Sequence, residues 1–400
     1  MDLIEAFEKN SKMEPIKCIE MHTTGEPTRV VCSGFPPLQG TLLEQRAQAK
    51  EKYDHIRSRI ILEPRGHWDM YGAILRQETE LVSSGEAHIG VLFMHNHGFS
   101  TMCGHATIAL GRFLVDTHDL NLFPRRNELQ FDPVSKTTEV RLHAPCGLIR
   151  ISVPTTPDGK STDTLRLTSF VSTPAFATAI GMTVSIPQAV RWPELGQRTH
   201  ITLDLSFGGT FYMLVSAQEL GFPNGLKDVN LDAMGNCIRY LLDYLRSAPE
   251  VAAAITYPSQ KDLSFLYSVM VVDADLGVPA SDAAGAESGL CYFADQQIDR
   301  SPTGGCVVAR MALAHAKGVR PVGQRWTYHS VVSNAFGGVG AFTGEVVEEL
   351  KIEGVKGIAE NGVRVKVEGQ AYYTGSQTFI VEEADSISAK GFSMKSVASQ

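Results

Sequence analysis

The chain has 400 residues, 43% hydrophobic and 20% charged, enough for two domains with substantial cores. Lys and Arg number 36 against 44 Asp and Glu, a net charge of −8, so no basic surplus marks nucleic acid or an anionic membrane as a partner. A small neutral or zwitterionic molecule is the expected partner. No apolar run approaches the roughly 18 residues of a membrane span, and the acidic start MDLIEAFEKNSKMEPIK lacks the basic-then-apolar order of a signal peptide. The expectation is a soluble, cytoplasmic protein. The seven cysteines are scattered, with no CxxC pair, which argues against a disulfide framework and a zinc knuckle.

In chain order, β-branched and alternating runs predict strands over 17–21, 28–32, 59–62, 88–94, 138–153, 200–215, 265–272 and 364–381. Consecutive strands without intervening helices favour antiparallel pairing, so the fold class is α+β. Amphipathic helices are expected over 41–55 (TLLEQRAQAKEKYDH) and 228–246, the latter with Leu231, Met234, Ile238, Leu241, Leu242 and Leu245 on one stripe. The polar stretch 154–164 (PTTPDGKSTDT) has the composition of an interdomain linker, and 277–289 (GVPASDAAGAESG) that of a mobile connection. The GKST at 159–162 lacks the earlier glycine of a phosphate loop and belongs to that linker. His95 and His97 form a pair with no carboxylate in register, so no metal site is expected there.

Two further helices differ in kind. After Cys103 the chain runs GHATIALGRFLVDTHDL and after Thr303 it runs GGCVVARMALAHAKG, small and apolar on nearly every face, which predicts burial. CGHATIAL and TGGCVVAR begin 200 residues apart, one in each half of the chain, which suggests an internal duplication. The first turn of a buried helix carries amides without partners and about half a positive charge. Gly104, Gly304 and Gly305 leave those amides open, and two such ends would cage a carboxylate. Cys103, just before the first helix, would have its thiolate favoured by the same field, with His105 two residues on to assist it. An isolated cysteine would be read as a small buried hydrophobe; the flanking MCGH and the repeated pattern favour the reactive reading. Cys306, one helical turn beyond Thr303, is assigned to packing.

These motifs resemble the proline racemase family, the pyridoxal-independent group that includes 4-hydroxyproline epimerases and trans-3-hydroxy-L-proline dehydratases. The resemblance is carried by MHTTGEPTRVV at 21–31, PRGHWDMYGAIL at 64–75, MCGHATIAL at 102–110, FGGTFY at 207–212, DRSPTGG at 299–305 and GQAYYTGSQTFIV at 369–381. It implies a fold like diaminopimelate epimerase: two pseudo-symmetric halves, each a curved, mostly antiparallel sheet around a central helix, with the active site between them. The halves would be 14–154 plus 369–385, and 165–368, with 386–400 as a tail.

The resemblance also implies roles. Racemases and epimerases of the family carry a cysteine at each helix start. Here the first is Cys103, while DRSPT places Thr303 where racemases have cysteine, and threonine there is the mark of the dehydratases. Asp299 matches the residue that binds the substrate ring nitrogen. The amides around Gly104, His105, Gly304 and Gly305 match the carboxylate cage, and Tyr71 and Phe293 match aromatic positions of the ring pocket. Glu26 lies in the GEP signature, where the sequence does not choose between catalysis and holding a turn. The implied activity is loss of water from trans-3-hydroxy-L-proline to give Δ1-pyrroline-2-carboxylate, with no cofactor and no metal, an imino acid as partner and room for a homodimer. His105 is the favoured donor to the departing hydroxyl, with Thr303 the other candidate. The runner-up is a racemase or 2-epimerase that tolerates Thr303; a catalytically silent binding protein is disfavoured because Cys103, His105 and Asp299 occur together.

Overall fold

A computed structural model describes residues 14–354, 357–382 and 384–398. The chain forms two compact units: the described residues of Met1–Thr101, His105–Thr168 and Gln370–Gln400 make the first, and Met102–Gly104 with Ser169–Gly369 make the second. Both combine a mixed, mostly antiparallel sheet with helices, so the class is α+β.

The first unit contains β1 (Ile16–Thr23), β2 (Glu26–Ser33), β3 (Gly72–Arg76), β4 (Ile89–His95), β5 (Gly98–Ser100), β6 (Gln130–Asp132), β7 (Thr137–Ala144), β8 (Gly147–Pro154) and a returning strand, Ala371–Phe379. Thr24 and Gly25 both have positive φ, 54° and 83°, the turn that matches the twist of a tight hairpin and sets β1 antiparallel to β2. From the returning strand the order is β1, β2, β3, β4, β7, β8. Successive neighbours are antiparallel, antiparallel, parallel, antiparallel, parallel and antiparallel.

The second unit contains β9 (Thr168–Val171) from Ser169 on, β10 (Phe176–Ser185), β11 (His200–Phe207), β12 (Phe211–Ser216), β13 (Leu266–Asp273), β14 (Ala286–Phe293), β15 (Gln297–Ile298), β16 (Arg325–His329), β17 (Phe342–Lys351) and β18 (Asn361–Gly369). From β10 the order is β11, β12, β13, β14, β16, β17, and the orientations repeat those of the first unit step for step. In each unit a short strand, β5 or β15, folds back on its predecessor and leads into a thirteen-residue helix: α3 (Gly104–Asp116) or α5 (Gly304–Ala316). The duplication suggested by two octapeptides therefore extends to whole sheets, with the returning strand standing where β10 stands in the second.

Helices also occupy the crossover between the parallel strands of each unit. In the first these are α1 (Leu42–Lys52), opened by a capping box between Thr41 and Glu44, and α2 (Asp54–Ile61). The expected strand at 59–62 is thus a helix. Ile56 and Ile60, four residues apart, are buried on one face, and a short β-branched run cannot by itself tell the two periods apart. In the second unit the crossover is α4 (Leu231–Ser247), capped by Asn230 and burying Met234, Cys237, Ile238, Leu241, Leu242 and Leu245. Leu231, expected on that stripe, is exposed at the first helical position.

The 154–164 stretch closes on itself through a bridge between Thr155 and Thr162, and the chain passes to the second unit at Ser169. The 277–289 stretch is pinned where Ala280 N donates to Thr327 Oγ1, and its last residues enter β14. Beyond 386 the chain is tied to α2 and the turn after it, with Arg59 Nε donating to Ala389 O and Arg65 Nη1 to Ser388 O, both at 2.6 Å. Among the described residues no helix is long and apolar enough to cross a membrane.

The second unit buries an ionic network under α5. Glu287 Oε1 accepts from Arg310 Nε at 2.7 Å and Oε2 from Arg320 Nη2 at 2.6 Å, while Arg320 Nη1 donates to Tyr328 OH at 2.8 Å. Burial alone would raise the Glu287 pKa; the two guanidinium groups outweigh it and hold the carboxyl below its ordinary 4.5. With a depressed folded-state pKa, the stabilisation is complete above about pH 4.5 and is lost as pH falls through the folded value. Glu287→Gln, which leaves two guanidinium groups without their carboxylate, should cost about 3–5 kcal/mol in urea unfolding at pH 7 and flatten stability between pH 5 and 3. An unchanged unfolding midpoint would show that the network is dispensable.

Candidate active site

In the second unit the turn before α5 is built by alternate side chains that bind its own backbone. Asp299 Oδ1 accepts from Ser301 N at 2.7 Å, and Ser301 Oγ accepts from Thr303 N at 3.1 Å. These bonds hold Thr303 at φ 62°, ψ 81°, a left-handed conformation costly for a β-branched residue. As N-cap of α5, Thr303 makes no side-chain cap bond, though Ser or Thr at that position normally satisfies one. Its Oγ1 is buried with no hydrogen-bond partner among the described residues. The strain and the missing cap together leave a hydroxyl and the first amides of α5 free to bind something other than protein.

The 102–104 segment belongs to the same unit. A Cβ on Gly104 would lie 2.4 Å from Gly304 Cα and 2.8 Å from Gly305 N, so only glycine allows this approach. A Cβ on Gly305 would lie 2.6 Å from Tyr212 OH and 3.5 Å from Met102 Sδ. Cys103, Gly104, Thr303, Gly304, Gly305 and Asp299 are thus brought into one unit, the glycines in backbone contact. Cys103 is 6% exposed. Cys306 is fully buried, and burial, reinforced by Cys291, pushes its thiol well above the usual range, as a packing residue requires.

Phe293 stands at the end of an aromatic row in this unit. Its ring centroid is 6.0 Å from that of Tyr267, which meets Tyr212 edge-on at 6.2 Å. Ser301, Tyr267 and Tyr212 are not among the residues singled out from the sequence. For Ser301 a signal existed, a hydroxyl two residues after an aspartate and two before a helix start, the spacing of side-chain-locked turns.

His105 and Tyr71 are placed in the first unit. The His105 carbonyl accepts from Thr23 Oγ1 at 3.0 Å, and its ring meets Tyr71 edge-on at 4.8 Å. Tyr71 OH and Ser100 Oγ are 2.6 Å apart. His95 is buried, and burial followed by the Arg57 charge holds its pKa well below 6.5, so its imidazole is neutral. Its Nδ1 accepts from His97 N, while the His97 side chain is exposed. Among the described residues no three His, Cys, Asp or Glu side chains are placed to hold a metal ion.

The proline racemase family profile matches residues 18–393. The chain belongs to the proline racemase family. Within it the chain is 38% identical over 388 residues to trans-3-hydroxy-L-proline dehydratase of Homo sapiens, covering 95% of each chain. It is 31% identical over 381 residues to proline racemase of Clostridioides difficile, covering 95% of this chain and 98% of that one. The solved structure of a hydroxyproline epimerase from Agrobacterium vitis, with bound trans-4-hydroxy-L-proline, superposes with a TM-score of 0.72 at 19% identity, over 97% of this chain and 98% of that chain. That last likeness establishes the fold of this family member.

The site makes a prediction about its thiols. Burial is the leading cause that raises the pKa of Cys18, Cys32, Cys237 and Cys306, with Cys32 pushed to about 11. Iodoacetamide at pH 7.5, followed by peptide mass mapping, should label Cys103 ahead of these four, and pyrrole-2-carboxylate should protect it. Labelling that is uniform or indifferent to that ligand would remove Cys103 from the site.

Proposed function

We propose that the enzyme is a hydro-lyase that dehydrates trans-3-hydroxy-L-proline to Δ1-pyrroline-2-carboxylate, with Cys103 as its base. The observation that carries the reading is Thr303: a buried, unpartnered hydroxyl at a helix head where a two-base racemase needs a second thiol. A threonine hydroxyl does not ionise near neutral pH and cannot return a proton to a carbanion as a thiol does. Cys306, one turn further, is held in the thiol form and packed. The 38% identity to a dehydratase over nearly the full length supports the same reading.

In this mechanism the substrate carboxylate sits on the amides of Gly104, Gly304 and Gly305, and Asp299 receives the ring nitrogen. The Cys103 thiolate takes the α-proton while these donors stabilise the charge that develops on the carboxylate. In the trans L isomer the α-hydrogen and the 3-hydroxyl lie on the same ring face. The proton therefore arrives on the Cys103 sulfur on the side from which the hydroxyl departs, and His105, two residues along the chain, is the candidate to relay it. The electron pair of the broken C–H bond forms the C2–C3 double bond and expels the hydroxyl, which leaves as water. The resulting enamine then tautomerises to the Δ1 imine. Phe293 and Tyr71 are assigned to the ring pocket, and Thr303 Oγ1 faces the substrate without exchanging protons with Cα. The proposed enzyme needs no cofactor, acts on a small imino acid in the cytoplasm, and could pair as a homodimer.

Chiral chromatography of L-proline and trans-4-hydroxy-L-proline incubated with the enzyme tests the role of Thr303. Both lack a leaving group at C3, so neither should yield an inverted product, whereas Thr303→Cys should show measurable epimerisation of at least one. Inversion by the wild type would establish the racemase or epimerase reading instead.

A further inference from the structure

Tyr212 lies on β12, opposite Ser268 of β13, with its side chain 2% exposed. Its hydroxyl lies 2.6 Å from the point a Cβ on Gly305 would occupy, and the Met102 sulfur lies 3.5 Å from the same point. The phenol oxygen is therefore within about 6 Å of the residue that precedes Cys103. Cα–Cβ bonds in a helix tilt toward its N-terminus, so this direction from Gly305 leads to the end of α5 where the open amides are. A buried phenol O–H ordinarily finds an acceptor. Thr303 Oγ1, in the same unit, is buried and unpartnered. Two hydroxyls, one from β12 and one from the cap of α5, thus lie in the unit that holds Cys103.

We infer that Tyr212 is a substrate-binding residue whose hydroxyl donates a hydrogen bond to the carboxylate of the bound imino acid, beside the amides of Gly304 and Gly305. The inference rests on the site reading given above and adds a side chain that binds the acid group. Burial, then Cys306 and Cys291, keeps the phenol protonated, so it can only donate to an anion. An uncharged donor suits this place, because a buried cation there would carry a desolvation cost that a phenol avoids. The close packing also accounts for glycine at 305, since a methyl group would collide with the donor oxygen.

The test is calorimetric titration of pyrrole-2-carboxylate and pyrrole-2-carboxamide into the wild type and Tyr212→Phe, with melting temperatures of both proteins as a check on folding. Removing a charge-assisted hydrogen bond should weaken the carboxylate ten- to a hundredfold and shrink its advantage over the carboxamide about tenfold, at an unchanged melting temperature. In turnover, Tyr212→Phe should raise KM for trans-3-hydroxy-L-proline more than it lowers kcat. Unchanged carboxylate affinity, or equal weakening of both ligands, would reduce Tyr212 to a space-filling residue. Failure of the wild type to bind pyrrole-2-carboxylate would overturn the site reading itself.

Discussion

Backbone meets backbone at Gly104 and Gly304, with room for hydrogens and nothing larger. That steric limit is what the candidate site depends on. It brings the residue after Cys103 against the residue after Thr303, and it keeps side chains away from the amides that begin α5. The cost is borne locally: a threonine in left-handed conformation, an N-cap that does not cap, and a turn that needs Asp299 and Ser301 to lock it. Each of these would be a defect in an ordinary helix start. Together they leave donors and one hydroxyl available for a ligand.

The two units repeat one framework. Each sheet runs through the same series of parallel and antiparallel neighbours, and each sends a short back-folded strand into a thirteen-residue apolar helix. A duplicated framework supplies two helix heads. In the first the residue before the helix is a thiol, and in the second it is an alcohol. On the proposed function the chemistry differs because acidity differs: a thiol can carry a proton away from carbon and a threonine hydroxyl cannot return one. On the proposed function, residue 303 decides whether this framework racemises or eliminates.

Much of this was legible in the sequence, and the rest fails for identifiable reasons. Period-two alternation marked 138–153 and 200–215 as strand, each of which the structure folds into a hairpin, and the apolar faces of 104–116 and 304–316 announced buried helices. The 200-residue offset pointed to the duplication, yet the returning strand 371–379 could not be recognised as the counterpart of β10, because its equivalence lies in pairing order and not in composition. The run at 59–62 was too short to separate strand from helix. Among the candidate site residues, Cys103, Gly104, Gly304 and Gly305 sit at the starts of small, apolar helices, so local sequence revealed them, whereas Asp299 and Thr303 came from the family resemblance of DRSPTGG. Tyr212 comes against Gly305 from more than ninety positions away, and only folding brings the two together.

On the proposed function, a thiol at residue 103 with no second thiol at residue 303 makes this family member an eliminating enzyme. Proton NMR of the purified enzyme with trans-3-hydroxy-L-proline tests it most directly. The α- and 3-proton resonances of the substrate should disappear as those of Δ1-pyrroline-2-carboxylate grow in, and Cys103→Ser should abolish the change while remaining folded. Persistence of the substrate spectrum, or its conversion into the epimer without pyrroline, would contradict the account.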